Sequence, residues 1–203
     1  MKVALRLAAL FSVSSALAGP VEAQRRPADP DWPCFQVKTL TFSLAAVWDG
    51  SPIDLESQAW RDDREVADLA AKMADRRTPV SDVEASIAAF AKTEPEARKK
   101  LPLAFGAAFQ ALTNQRSQII DGLERFGRRQ RELADQIRSE NETAQSAASA
   151  NPVGGAADAA VEKLQWDLRL FEDRRRETSF ACESPTLIEQ RIGALARAVR
   201  AAM

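Results

Sequence analysis

The sequence predicts an all-α protein: a helical bundle carrying a long antiparallel, coiled-coil-like helical hairpin, with an N-terminal extended strap tied down by one disulfide. Three observations carry this prediction. First, Phe105, Phe109, Leu112, Arg116, Ile119, Leu123, Phe126, Gln130, Leu133 and Ile137 recur at alternating spacings of four and three between Pro102 and about Ala148. That is a heptad seam without an internal proline, the pattern of a long helix that needs a partner helix. Second, Val161, Leu164, Leu168, Phe171, Arg175, Thr178 and Cys182 form a matching seam after the turn Asn151-Pro152-Val153-Gly154-Gly155. Third, Cys34 and Cys182 are the only two cysteines, and the chain opens on an export signal.

The elements follow in order. Lys2 and Arg6 precede an apolar run from Leu7 to Ala18, then Pro20 and the small-residue site Val21-Glu22-Ala23. This reads as a cleaved signal peptide, residues 1–23, with a cut after Ala18 as the second choice. The apolar run is too short to span a bilayer, so no stable membrane anchor is expected after cleavage. Export to an oxidising compartment, the periplasm, makes a Cys34–Cys182 disulfide the expected pairing. Residues 24–50 form the strap: a polar start to Asp31, expected to be disordered, then apolar Trp32, Phe35, Leu40, Phe42, Leu44, Val47 and Trp48 in an extended pattern.

The helical domain spans residues 51–203. Ser51-Pro52-Ile53-Asp54 predicts a capped helix start, running to about Arg76 with Trp60, Val66, Leu69, Ala70 and Met73 inward. Ser81-Asp82-Val83-Glu84 reads as a capping box opening a second helix that buries Val83, Ile87 and Phe90. Glu94-Pro95 and Leu101-Pro102 bracket a charged connector before the long helix, and Ser184-Pro185 marks a restart late in the last one.

One antiparallel register pairs Phe105 with Val199, Phe109 with Leu195, Leu112 with Ile192, Phe126 with Thr178 and Leu133 with Phe171, and it puts the fold point in the proline–glycine turn. Two shorter helices can cover the base of such a hairpin. Nothing remains to cover a projecting tip at about residues 127–178.

Composition narrows the chemistry. The chain of 203 residues has no His and no Tyr, which removes the usual general base, the commonest metal ligand and the phenolic acid. No catalytic residue, cofactor or metal site is therefore expected. The cluster Asp62, Asp63, Glu65 and Asp68 lacks calcium-loop spacing and reads as a solvated helix face. Net charge is −1, and with no Gly-rich phosphate loop and no aromatic interleaving nucleic acid is not expected as a partner.

Arg125, Arg128, Arg129 and Arg131 on one limb meet Arg174, Arg175 and Arg176 on the other. They form either a site for an acidic protein partner or a solvated belt neutralised by Glu124, Glu132, Glu172, Asp173 and Glu177. Trp166, beside the second seam, is either a binding hot spot or a ring widening the core. Leu112-Thr113-Asn114-Gln115 resembles part of the LTxxQ motif of small periplasmic helical chaperones and stress regulators, with the glutamine one residue early, and assigns no family. The leading expectation is an exported protein working through protein–protein contact with another periplasmic or envelope protein, as accessory, adaptor or chaperone-like factor. The alternative is a small-molecule or ion binder with a pocket lined by Trp32, Trp48 and Trp60 between strap and bundle.

Overall fold

The computed structural model describes residues 29–150 and 155–203; residues 1–28, with the expected signal peptide and most of the strap's expected disordered start, and residues 151–154, where the turn is expected, lie outside them. Helices take 77% of the described residues and no strand occurs among them, so the class is all-α. Four α-helices follow one another: α1 (Arg64–Ala74), α2 (Val80–Thr93), α3 (Ala97–Ala150) and α4 (Gly155–Ala201). Single 3₁₀ turns at Leu44–Ala46 and Ala59–Arg61 punctuate the segment before α1.

The core is built from all four helices. Val66, Leu69 and Met73 of α1 and Val83 and Ile87 of α2 are buried against Leu101, Phe105 and Leu112 of α3 and Ile188, Ile192, Leu195 and Val199 of α4. Trp48 closes one end, its ring centroid 5.1 Å from that of Phe105, and its indole N–H donates to the Ser51 carbonyl at 2.7 Å. Large apolar side chains packed this way supply most of the folding free energy.

Four helix boundaries differ from the sequence reading. Residues 51–58 are not helical, and Pro52 opens no helix. Ile53 instead packs over Gly106, where an added Cβ would meet Ile53 Cγ2 at 2.7 Å, and the Gln110 side-chain amide donates to the Leu55 carbonyl. The true cap is Asp63, whose Oδ1 accepts from the amides of Glu65 at 3.0 Å and Val66 at 3.2 Å. A hydrogen bond from Lys100, then the Val66 amide, holds the Asp63 carboxyl below its usual range. Asp63 thus serves as the N-cap of α1.

α2 starts at Val80 behind Pro79 without a side-chain cap, so Ser81 and Glu84 make no capping box; Val83 and Ile87 are buried as expected and Phe90 is half-buried. α3 begins at Ala97 and carries Pro102 inside it, because Ala97 and Leu101, one turn apart, are both buried and anchor the extra turn. α4 likewise runs through Pro185 without a restart. A proline removes one helix donor; at this level the strap attaches, and the Gln36 amide donates to the Cys182 carbonyl.

Contacts between α3 and α4 run in opposite sequence directions. Arg116 Nε bonds Glu189 at 2.6 Å, Gln130 Nε2 donates to the Phe171 carbonyl at 3.3 Å, Gln136 Nε2 bonds Asp167 at 3.1 Å, and Lys163 pairs with Glu140. The far seam is not the one read from the sequence. Leu168 and Val161 are exposed, whereas Asp167 turns inward and is buried. Lys163, hydrogen-bonded to Asp167 at 3.0 Å, holds that carboxyl below its usual range. A buried carboxylate persists here because Lys163 and Gln136 satisfy it.

Candidate protein-interaction surface

The candidate surface comprises the arginines around the strap's crossing of α3 and the outward-facing side chains of α4. The strap reaches the helices through polar groups. Cys34 and Cys182 are joined by a disulfide with Cα atoms 5.7 Å apart. Beside it, Arg116 is only 3% exposed and holds three segments together. Its Nε bonds Glu189, its Nη2 donates to the Thr39 carbonyl at 2.7 Å, and its Nη1 donates to the Leu40 carbonyl at 3.3 Å. Its guanidinium also lies 6.0 Å from the Phe42 ring centroid. Further along, Lys38 bonds Asp29 at 2.8 Å and pairs with Glu124. The strap lies so close at Gly127 that a Cβ there would overlap the Asp31 carbonyl oxygen.

This clasp engages two of the arginines singled out in the sequence. Arg128 Nε bonds Asp31 Oδ2 at 3.2 Å, and Arg131 pairs with Asp31 Oδ1. Both therefore hold the strap. The remaining arginines sit differently. Arg175 pairs with Glu172 at 3.0 Å, and Arg176 pairs with Asp173, each on its own helix turn. Arg129 lines a hollow with Ile119, Phe126, Glu177 and Thr178 between α3 and α4. Arg174 is half-buried, and its carbonyl accepts from the Thr178 hydroxyl at 2.6 Å. Exposed pairs such as Arg175–Glu172 contribute little stability, so their charges are available to exchange partners.

Trp166 is 62% exposed, with the Arg169 guanidinium 5.9 Å from its ring centroid. Its ring does not widen the core. Phe180 and Leu187, also on α4, are 75% and 55% exposed. On the strap, Phe35 and Val37 point into solvent, while Phe42, Leu44 and Val47 pack against the core. Sequence reasoning placed Phe35 among the strap's apolar content without seeing that it faces outward. It also passed over Arg116 as a strap anchor; the signal was a charged residue at an otherwise apolar seam position.

The three tryptophans of the expected pocket do separate jobs. Trp48 is in the core, Trp60 lies at the core's edge under the Arg61 guanidinium, and Trp32 donates to the Gln36 carbonyl at 2.7 Å. Among the described residues, no group of His, Cys, Asp and Glu side chains could hold a metal ion, and no helix is long and apolar enough to cross a membrane. No family model, no curated protein and no solved structure matches this chain.

Proposed function

We propose that the protein is an exported, non-enzymatic accessory or adaptor factor of an oxidising compartment such as the periplasm, working through protein–protein contact. In this reading α3 and α4 form an antiparallel, coiled-coil-like hairpin whose far end projects beyond the bundle. The pairs Arg116–Glu189, Gln130–Phe171, Gln136–Asp167 and Glu140–Lys163 support the hairpin, each lying within three residues of the register expected from the two seams. The disulfide and the leader-like first residues support the compartment. A chain without His or Tyr supports the absence of acid–base chemistry.

The observation that carries the reading is Trp166. A large aromatic side chain left in solvent, beside a guanidinium and away from the core, contributes nothing to folding and has the character of a binding hot spot. The exposed Arg175 and Arg176 flank the same helix and would pair with carboxylates of a partner.

Trp166→Ala should therefore leave stability within about 0.5 kcal/mol of the parent, as surface changes do. It should also remove protein cross-links made from the tip in the native compartment. Replacing the segment between Leu133 and Phe171 by a short glycine-containing turn should have the same pair of effects; the cut lies beyond Arg131 so that the strap keeps its anchors. Loss of folding in either variant, or unchanged cross-linking in both, would overturn the proposal.

A further inference from the structure

An open furrow of about 960 Å³ lies between the turn that joins α1 to α2 and the neighbouring side of α4. Clefts that hold small ligands run to roughly 300–1,000 Å³. Ala74, Val80, Leu187, Ile188 and Ala194 give the furrow apolar walls. Its charge is one-sided, because three guanidiniums, Arg76, Arg77 and Arg191, line it with a single carboxylate, Asp75. That carboxylate is already engaged by its own turn: Oδ1 accepts from the Arg77 amide at 3.0 Å and Oδ2 from the Thr78 hydroxyl at 2.8 Å. Among the described residues, Arg76, Arg77 and Arg191 make no ion pair. Arg191 is only 8% exposed and closes the end of α1. Its Nε donates to the Met73 carbonyl at 2.9 Å, Nη1 to the Thr78 carbonyl at 2.8 Å and Nη2 to the Lys72 carbonyl at 3.5 Å. These carbonyls fix the guanidinium without neutralising it, and each terminal nitrogen keeps a further N–H. A buried cation without a counter-ion is costly, and an anion in the furrow relieves that cost.

We infer that this furrow binds a small amphipathic anion, a carboxylate or phosphate head group on an apolar chain. Charge complementarity selects the head group: the exposed Arg76 and Arg77 and the buried Arg191 present forked donors that match either anion. The apolar walls select the chain. Leu187, 55% exposed in the free protein, gains cover when the chain lies along it. Leu187 and Trp166 are separated along α4 by about 32 Å of helix rise, so the furrow is a site distinct from the hairpin tip. The inference therefore stands apart from the protein-contact role proposed for Trp166 and adds a ligand to it.

Isothermal titration calorimetry of the exported, oxidised protein tests this with decanoate and decyl phosphate, each below its micelle concentration. Both are expected to bind, with decanol and inorganic phosphate each at least ~10-fold weaker, since each offers only half of the ligand. Arg76→Gln/Arg77→Gln should weaken decanoate binding at least ~10-fold, as loss of a charge-assisted hydrogen bond does. Leu187→Ser should weaken decanoate and leave inorganic phosphate unchanged. These variants alter exposed side chains and should keep the parent's circular dichroism; Arg191 is left in place because it holds the end of α1. Arg175→Gln/Arg176→Gln, at the tip, should bind decanoate like the parent. Undiminished binding in Arg76→Gln/Arg77→Gln, or an equal loss in the tip variant, would overturn the inference. Vesicles of phosphatidylglycerol separate a free amphiphile from a bilayer lipid. Co-sedimentation with them in the absence of decanoate binding would also overturn it, because the apolar walls would then hold no chain.

Discussion

Removing the Cys34–Cys182 bond should lower stability by up to ~5 kcal/mol, the largest effect expected of any single covalent change in this chain. The bond closes a loop with a sequence separation of 148 residues, so its loss frees much of the unfolded chain. Its native environment offers partial compensation: Gln36 still reaches the Cys182 carbonyl, Arg116 still holds Thr39 and Leu40, and Asp31 still meets Arg128 and Arg131. The strap should therefore remain in place but detach first. The Cys34→Ser/Cys182→Ser double variant, compared with the oxidised parent by chemical denaturation, measures the loss. Early proteolysis within residues 29–43, with the bundle still intact, is the accompanying sign. A loss below about 1 kcal/mol would mean that the closed loop constrains the unfolded state far less than chain entropy requires.

Arg116→Met should cost about 3 kcal/mol and release the middle of the strap. The estimate follows from charge-assisted hydrogen bonds of about 1.5–3 kcal/mol each, reduced because Glu189 and the strap carbonyls regain water once freed. The thioether fills part of the volume, which limits the cavity penalty. Arg116→Lys should recover little, since one ammonium cannot reach Glu189, Thr39 and Leu40 with the spread of a guanidinium. Urea denaturation of these variants with and without Glu189→Gln gives the coupling directly. Additive effects of Arg116→Met and Glu189→Gln, or a strap as resistant to protease as before, would count against this account.

The all-α class and the disulfide were legible in the sequence because each rests on patterns the chain repeats or isolates: apolar residues recurring at threes and fours, and a single pair of cysteines. Helix boundaries were less so, and the misses share a cause. Pro52, Pro102 and Pro185 were read by their local chemistry, but Gly106 with Gln110, the buried Ala97–Leu101 pair and the strap at Cys182 decide the outcome at those points. Tertiary contact overrides local propensity there. The candidate surface was legible in part. Trp166 could be named, but its exposure could not, since position relative to a seam does not fix which way a ring turns. That Arg128 and Arg131 face Asp31 depends on where an irregular strap crosses a helix, and no periodicity records that.

Gly127 sits at that crossing, beneath Asp31 and Pro33, in the interior of α3. By propensity alone glycine costs about 1 kcal/mol relative to alanine at an interior helix position. Gly127→Ala should thus act with opposite sign on the part and on the whole. A peptide covering the middle of α3 should gain helicity by circular dichroism, whereas the intact protein should lose stability as the new methyl group drives the Asp31 carbonyl away. The site is a local weakness retained for the sake of a long-range fit: α3 gives up intrinsic stiffness at one residue so that a segment almost a hundred positions earlier can lie flat against it.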